Sequence, residues 1–395
     1  MAGGSAPEYR EQYHWIEGVE SLEKYRQGGY HPVVVGDLVN KRYRVVDKLG
    51  YGGYSTVWLA RDIQKELYVA LKIAISDSRL QETKILRNLS NTQPDTSSDL
   101  ITLAGQNAIP RLLDEFTLRG PNGTHSCYTT APAQCNLMDA SFHHLFKLDV
   151  ARALSVKLVS AIAYMHSLGY VHGVSRVDGE LLSSNVPKEA TLPLSLGKTA
   201  REMSLADTHL ILTDFGEAFA PALDTRLCED SRSPLAARPP EARFEPLSPL
   251  SFSADIWSLA IALWNLVGMK PLFSDELVTP ETVVAQQVDV LGPMPQSWWQ
   301  LWEQRNQFFD ATGNSTQGED ASPPLSEAFD AWVQKYRSKH KVGVFQEREK
   351  MAFLELLRRM LSFDPRNRPT AIEVLKSDWV VKWAKEDFER SMEEA

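Results

Sequence analysis

Tyr43-Arg-Val-Val-Asp-Lys-Leu-Gly50-Tyr-Gly52-Gly-Tyr-Ser-Thr-Val-Trp-Leu-Ala-Arg-Asp62, followed after seven residues by Ala70-Leu-Lys72-Ile73, is the stretch whose reading decides the fold. Gly50 and Gly52 stand between an alternating run from Tyr43 to Leu49 and another from Thr56 to Ala60, which predicts a β-hairpin with a small glycine tip. A tip without Cβ atoms lets backbone N–H groups approach phosphate oxygens that bulkier residues would hold away. A third predicted strand, Tyr68 to Ala74, carries one lysine, Lys72, inside an apolar run. An ammonium group there needs a negative partner or a shifted pKa, so the position asks for an anion. Alone, a Gly-x-Gly more often marks an ordinary turn, and a strand lysine usually snorkels from an edge. Together, about 20 residues apart and followed by Asp214-Phe-Gly216, they reverse those odds.

Composition sets the outer limits. The chain has 395 residues, 43% of them hydrophobic, enough for one large core or for two lobes sharing a cleft. A net charge of −9 disfavours nucleic acid and favours a basic protein or peptide as partner, although such a balance usually serves solubility. Cys127, Cys135 and Cys228 are odd in number and lack metal-ligand spacing, which reads as reduced thiols inside a cell. The N-terminal residues show no secretory pattern, and no apolar run of about 18 residues spans a membrane. There are no internal repeats.

The glycine tip and in-strand lysine resemble the phosphate end of a protein-kinase nucleotide site, with Ser55 where the third glycine of G-x-G-x-x-G would stand. A second resemblance lies upstream. Tyr25 to Asp37, running into Leu49 to Asp62, is similar to the entrance of kinases that phosphorylate serine/arginine-rich splicing factors, in particular their fungal relatives. Gly28-Gly-Tyr-His-Pro-Val33 carries this likeness, because no generic turn or strand rule calls for it. The resemblance implies that Leu49, Gly50, Tyr51, Gly52, Gly53, Val57 and Ala70 surround ATP, that Lys72 anchors the α/β-phosphates, and that Glu82 positions Lys72. It also implies that the chain crosses between lobes after Thr130, with the backbone of Ala131 and Ala133 at the adenine edge.

Residues 78 to 90 place Leu80, Ile85 and Leu89 close to a helical stripe, with Glu82 on that helix. From spacing alone Glu82 is equally a solvated helix glutamate. Asn91 to Asn107 reads as a polar surface loop. Strands are expected around Arg111–Leu118 and Cys127–Thr130, joined at Pro121-Asn-Gly, and a helix from Leu148 to Gly169.

The catalytic loop is where the pattern departs. A kinase loop reads His-x-Asp-x-x-x-x-Asn, the Asp receiving the substrate hydroxyl's proton and the Asn holding magnesium. With His172 as the histidine, Val174 occupies the Asp position and Gly179 the Asn position. Asp178 and Asn185 stand nearby, out of register, as candidates for the acid–base carboxylate and the metal amide. A retained intron beginning near Val174-Ser175 would also account for the poor family match from Val174 to about Thr208.

The pattern then recovers. Leu210 to Thr213 reads as an apolar strand ending in Asp214-Phe-Gly216, whose Asp chelates magnesium in the family. Ser231 and Ser233 lie in the short segment before Pro239-Pro-Glu241. Asp255, inside a predicted buried helix, receives backbone N–H bonds from the catalytic loop in the family, and Arg368 pairs with Glu241. About 310–325 reads as a polar, mobile insert, Trp298, Trp299 and Trp302 as packing residues, and Trp379 to Ala395 as a charged final helix.

Taken together, the resemblance implies an α+β, bilobal protein-kinase-like fold with a small sheet-plus-one-helix N-lobe and a mainly helical C-lobe. The expected layout is an extension over 1–42, an N-lobe over 43–131, a C-lobe over 132–385 and a tail over 386–395. The implied activity is protein serine/threonine phosphorylation with ATP and Mg2+, on basic Arg/Ser-rich proteins. The expected form is a monomer in cytoplasm or nucleus, with no direct nucleic-acid or membrane partner. The alternative is a pseudokinase that binds nucleotide or partner proteins without turnover. A small-molecule kinase of the aminoglycoside type is disfavoured by Pro239-Pro-Glu241 and Arg368.

Overall fold

The alternating runs around the glycines fold as an antiparallel sheet. A computed structural model describes residues 19–78, 81–90, 99–141, 143–173, 191, 193, 197–274 and 279–394. These fall mainly into two units, one drawn from 19–83 and 111–133, the other from 84–110, 134–173 and 197–394.

In the first unit the strands are β1 (Leu38–Val39), β2 (Tyr43–Gly52), β3 (Ser55–Asp62), β4 (Leu67–Ala74), β5 (Asp114–Gly120) and β6 (Gly123–Thr130). Their order is β1-β2-β3-β4-β6-β5. The β2–β3 register skips at Val46 and at Leu49, two bulges that twist the hairpin toward its tip. One sheet face is packed as a core of Tyr43, Val45, Trp58, Leu71 and Ile73, with Val33 and Val39 from the preceding segment. Helix α1 (Glu82–Ser90) follows β4.

The segment before the sheet is tied down, so Gly28 to His31 has a structural reason that the sequence alone did not disclose. Gly28 adopts φ 85°, and a Cβ there would lie 2.1 Å from the Asp77 carboxylate. A Cβ on Gly29 would lie 1.9 Å from the Lys24 carbonyl oxygen. Tyr30 is buried, and His31 packs edge-on against His125 at 5.0 Å. Lys48, fully buried on β2, pairs with Glu20, which also accepts from the Tyr25 hydroxyl.

The second unit is helical: α2 (Leu100–Asn107), α3 (Leu137–Ser141), α4 (Leu148–Ser167), α5 (Glu241–Phe244), α6 (Phe252–Val267) and α7 (Pro280–Leu291) come first. Then follow α8 (Gln296–Leu301), α9 (Leu325–Phe329), α10 (Lys335–His340), α11 (Glu347–Met360), α12 (Ala371–Leu375) and α13 (Lys385–Glu393). Helices α4 and α6 are apolar around most of their circumference and form the centre of the core with Phe329, Phe353 and Trp379. Trp298 and Trp302 pack with Phe244, Phe309 and Phe363, and Trp299 lies against that cluster. No helix among the described residues is long and apolar enough to cross a membrane.

Two expectations are corrected here. Residues 100–107 form a helix where a loop was expected. Composition averaged over 91–107 hid the change at Asp99, whose side chain accepts from the Thr102 N–H as an N-cap and is followed by Leu-Ile-Thr-Leu-Ala. Gly105 lets α2 approach α4 closely, since a Cβ there would lie 2.4 Å from the Ser160 carbonyl oxygen. Residues 210–213 form no strand. Their backbone is bound singly instead: Leu212 N–H donates to the Ala108 carbonyl at 2.8 Å, and His172 Nε2 lies 3.0 Å from the Thr213 carbonyl oxygen. The 310–325 segment is polar and carries its own bonds, with Asp310 accepting from the backbone N–H groups of Thr312 and Asn314.

Candidate active site

Lys72 lies near the C-terminal end of β4, opposite Val57 on β3 and Tyr128 on β6. Directly opposed residues of antiparallel strands share a face, so Val57, Lys72 and Tyr128 form a row, with Ala70 two residues along. This is the face turned away from the Trp58–Leu71–Ile73 core. Lys72 Nζ lies 2.6 Å from Glu82 Oε1, at the first residue of α1. The Tyr128 hydroxyl donates to the same oxygen at 3.0 Å. Burial, with the Glu82 charge adding and Lys72 opposing, raises the Tyr128 phenol above its ordinary range, so it remains a donor. Tyr128 was not foreseen, because only the β4–β6 register brings it beside Lys72.

Leu49 sits at the second β2 bulge, and Gly50 is the next paired residue, opposite Val57. Tyr51 and Gly52 complete β2, and Gly53 lies in the turn to β3. Neither Gly50 nor Gly52 needs a left-handed backbone, and a Cβ on either would meet nothing within 4 Å. The glycines therefore leave open space at the tip, which fits a ligand that must come close to the backbone. After β6, Ala131 and Ala133 are exposed and outside the ladder, with the Thr130 hydroxyl donating to the Ala131 carbonyl at 3.2 Å.

The second unit holds the other group of site residues. Asp214 is exposed and left-handed (φ 66°, ψ 64°), a region an Asp tolerates better than most residues and one often found at functional positions. The next residue, Phe215, is buried and packs edge-on against His172 at 5.2 Å. The backbone N–H groups of His172 and Gly173 donate to the two oxygens of Asp255, at 2.8 and 3.2 Å. His166 Nε2 lies 2.9 Å from the same carboxylate. Burial alone would raise the Asp255 carboxyl, but the His166 bond, nearby histidine charge and the His172 N–H together hold it below the usual range. The start of the loop is thus clamped to α6. Val174, Asp178, Gly179 and Asn185 lie outside the described residues.

Beyond Asp214, Arg226 donates to the carbonyl and the carboxylate of Glu217 at 2.8 and 3.0 Å and lies over the Phe219 ring. Ser231 and Ser233 are both buried, with the Ser233 carbonyl accepting twice from Arg238. Arg368 grips Glu241 with two bonds, 2.7 and 2.6 Å, the pairing the resemblance implied.

A six-stranded sheet with an in-strand Lys–Glu pair, and a helical unit in which a buried Asp holds the loop after α4, define a bilobal kinase fold. The chain belongs to the protein kinase domain family, whose model matches residues 43–380. Members of that family use ATP and magnesium. Among its relatives is a serine/threonine protein kinase of Aspergillus fumigatus, 25% identical over 383 residues that cover 92% of this chain and 90% of that protein. SRSF protein kinase 3 of Homo sapiens is 34% identical over 166 residues, 40% of this chain and 27% of that protein. The serine/threonine-protein kinase spk-1 of Caenorhabditis elegans is 32% identical over 198 residues, 48% of this chain and 19% of that protein.

Proposed function

We propose that this chain is an ATP-dependent protein serine/threonine kinase that phosphorylates serines in basic, Arg/Ser-rich proteins, with its lobes over 43–131 and 132–385. The observation that carries the reading is the Lys72–Glu82 ion pair, buttressed by Tyr128. Glu82 and Tyr128 hold the Lys72 ammonium on the sheet face, where it takes an oxygen of the α- or β-phosphate. Backbone N–H groups of the 50–53 tip cover the phosphates, and the backbone at Ala131 and Ala133 meets the adenine edge. Asp214 holds magnesium, which when bound neutralises charge gathering on the transferred phosphoryl group. Similarity to a kinase named for SRSF proteins and the net charge of −9 support a basic substrate. Three free thiols suit a reducing compartment, the cytoplasm, the nucleus or both, and the expected form is a monomer.

A second reading, the pseudokinase, is favoured by Val174 and Gly179 at the Asp and Asn positions of the loop. Loss of general-base help removes about 10²–10⁴ in rate, roughly 3–5 kcal/mol. Positioning and charge neutralisation supply most of phosphoryl-transfer catalysis, so this predicts a slow kinase before a dead one. Asp178 as the proton acceptor and Asn185 as a metal ligand remain part of the first reading. Radiolabelled phosphate transfer from Mg-ATP to an Arg-Ser repeat peptide separates the two. Incorporation above a Lys72→Ala control is expected. Equal signals, with a thermal shift by Mg-ATP retained, would establish the pseudokinase.

A further inference from the structure

Residues 20–31 precede the stretch matched by the protein kinase family, which begins at Tyr43, yet they are bound to the sheet that carries Lys72. Gly28 N–H donates to the Asn122 carbonyl at 2.9 Å, and the N–H groups of Ser76 and Asp77 donate to the carbonyls of Gly29 and Gly28 at 3.1 and 2.9 Å. Asn122 Nδ2 donates to the Tyr30 carbonyl at 2.6 Å. Tyr25 packs edge-on against the Tyr30 ring at 5.3 Å, and its own hydroxyl is committed to Glu20. The Tyr30 ring is therefore buried against Tyr25, and its backbone is tied to Asn122. Its hydroxyl reaches past the core and donates to the carbonyl of Gly52 at 2.6 Å, although Gly52 itself is exposed.

We infer that Tyr30 is a positioning residue for the nucleotide: by holding the Gly52 carbonyl it sets the orientation of the peptide unit whose N–H belongs to Gly53. In a trans peptide the C=O and N–H point in opposite directions. A Gly52 carbonyl fixed on Tyr30 therefore aims the Gly53 N–H away from the 20–31 segment. Glycine peptides reorient at low cost because no Cβ restricts them, so at the Gly52-Gly53 tip the Tyr30 hydroxyl adds a second hold on this peptide beside the Gly52–Ser55 pair that closes the β2–β3 ladder. Burial first, then the Glu20 charge, raises the Tyr30 phenol above its ordinary range, which keeps the hydroxyl a donor. The inference rests on the nucleotide reading of Lys72 and the tip, and it adds a residue outside the matched domain to that site.

The test uses the full chain and Tyr30→Phe, which removes the donor and keeps the ring, beside Tyr25→Phe, which removes a hydroxyl that does not reach the tip. Hydrogen exchange is followed over residues 50–55 and over β2–β4, together with Mg-ATP affinity by calorimetry. In Tyr30→Phe, faster exchange confined to 50–55 and an affinity weaker by roughly three- to tenfold are expected. Tyr25→Phe should lower the melting temperature without singling out the tip. Unchanged exchange at 50–55 in Tyr30→Phe overturns the inference, as does the same spread of faster exchange through β2–β4 in both variants. Unchanged affinity in Tyr30→Phe, when the parent binds Mg-ATP, overturns it equally. A parent that binds no Mg-ATP removes the nucleotide reading itself, and the exchange comparison then decides alone whether Tyr30 holds the tip.

Discussion

Two carboxylate–cation pairs in this chain have similar lengths and opposite characters. Glu241 and Arg368 meet through two bonds with side chains only 4% and 0% exposed, and Arg368 also donates to the carbonyls of Ser362, Ser253 and Phe363. Lys72 Nζ lies 2.6 Å from Glu82 Oε1, each side chain 12% exposed, and the Tyr128 hydroxyl donates to the same oxygen. The first is a closed, desolvated clamp. The second keeps access to solvent and uses a flexible ammonium, which binds phosphate as a point charge. The difference teaches that ion-pair length says little about role, whereas burial and the geometry of the cation say much.

The contrast is open to attack at several points. Arg368→Ala leaves Glu241 buried without its cation, and a loss of about 3–5 kcal/mol in unfolding free energy is expected by denaturant titration. A loss under about 1 kcal/mol would end the description of that pair as a clamp. Lys72→Ala should instead keep a near-parental melting temperature while Mg-ATP affinity falls by roughly tenfold to a hundredfold, the worth of a charged hydrogen bond. A variant that unfolds at lower temperature with unchanged affinity would place Lys72 with the structural pair.

Gly105→Ala lies between these cases. In an exposed helix interior this change stabilises, but here the Cβ would sit 2.4 Å from the Ser160 carbonyl oxygen, so a destabilisation of about 1–3 kcal/mol is expected. A gain in stability would separate α2 from α4. The smallest effect concerns His31. Burial and the facing His125 push its pKa down to about 4, against a weaker upward pull from Asp37. Between that value and the ordinary 6.5 the unfolded chain binds the proton and the folded chain does not. His31 therefore costs stability as pH falls through that window and costs nothing above it. His31→Phe should narrow the melting-temperature gap between pH 7.5 and pH 5 by about 1–2 °C, and a gap of parental width would refute the assignment.

Much of this was legible in the linear chain, for identifiable reasons. The β2–β3 hairpin, Lys72 and the Asp214-Phe-Gly216 turn are local patterns whose partners lie within a few residues. Asp255 was legible because a carboxylate inside an apolar helix demands a partner, and Arg368 because the family resemblance pairs its position with Glu241; each found that partner. Tyr128 was not, since strand register across 56 residues of separation leaves no local trace. Helix α2 was obscured by the polar stretch averaged with it. The segment 210–213 has strand composition, but side-chain and single backbone bonds take the place of a ladder. Gly28-Gly-Tyr-His looked like a family mark without cause, and its causes proved to be close contacts with Asp77, Lys24, Gly52 and His125.

Lys48 has a practical consequence for anyone trimming the chain. Its ammonium is buried on β2 over the rings of Trp58 and Tyr51, and its carboxylate comes from Glu20. A shortened version begun at Tyr43, where the stretch matched by the kinase domain family starts, would strand that cation in an oily pocket. Such a cut would also remove β1 and the Val33 and Val39 core contacts, so expression boundaries for this protein belong upstream of residue 19.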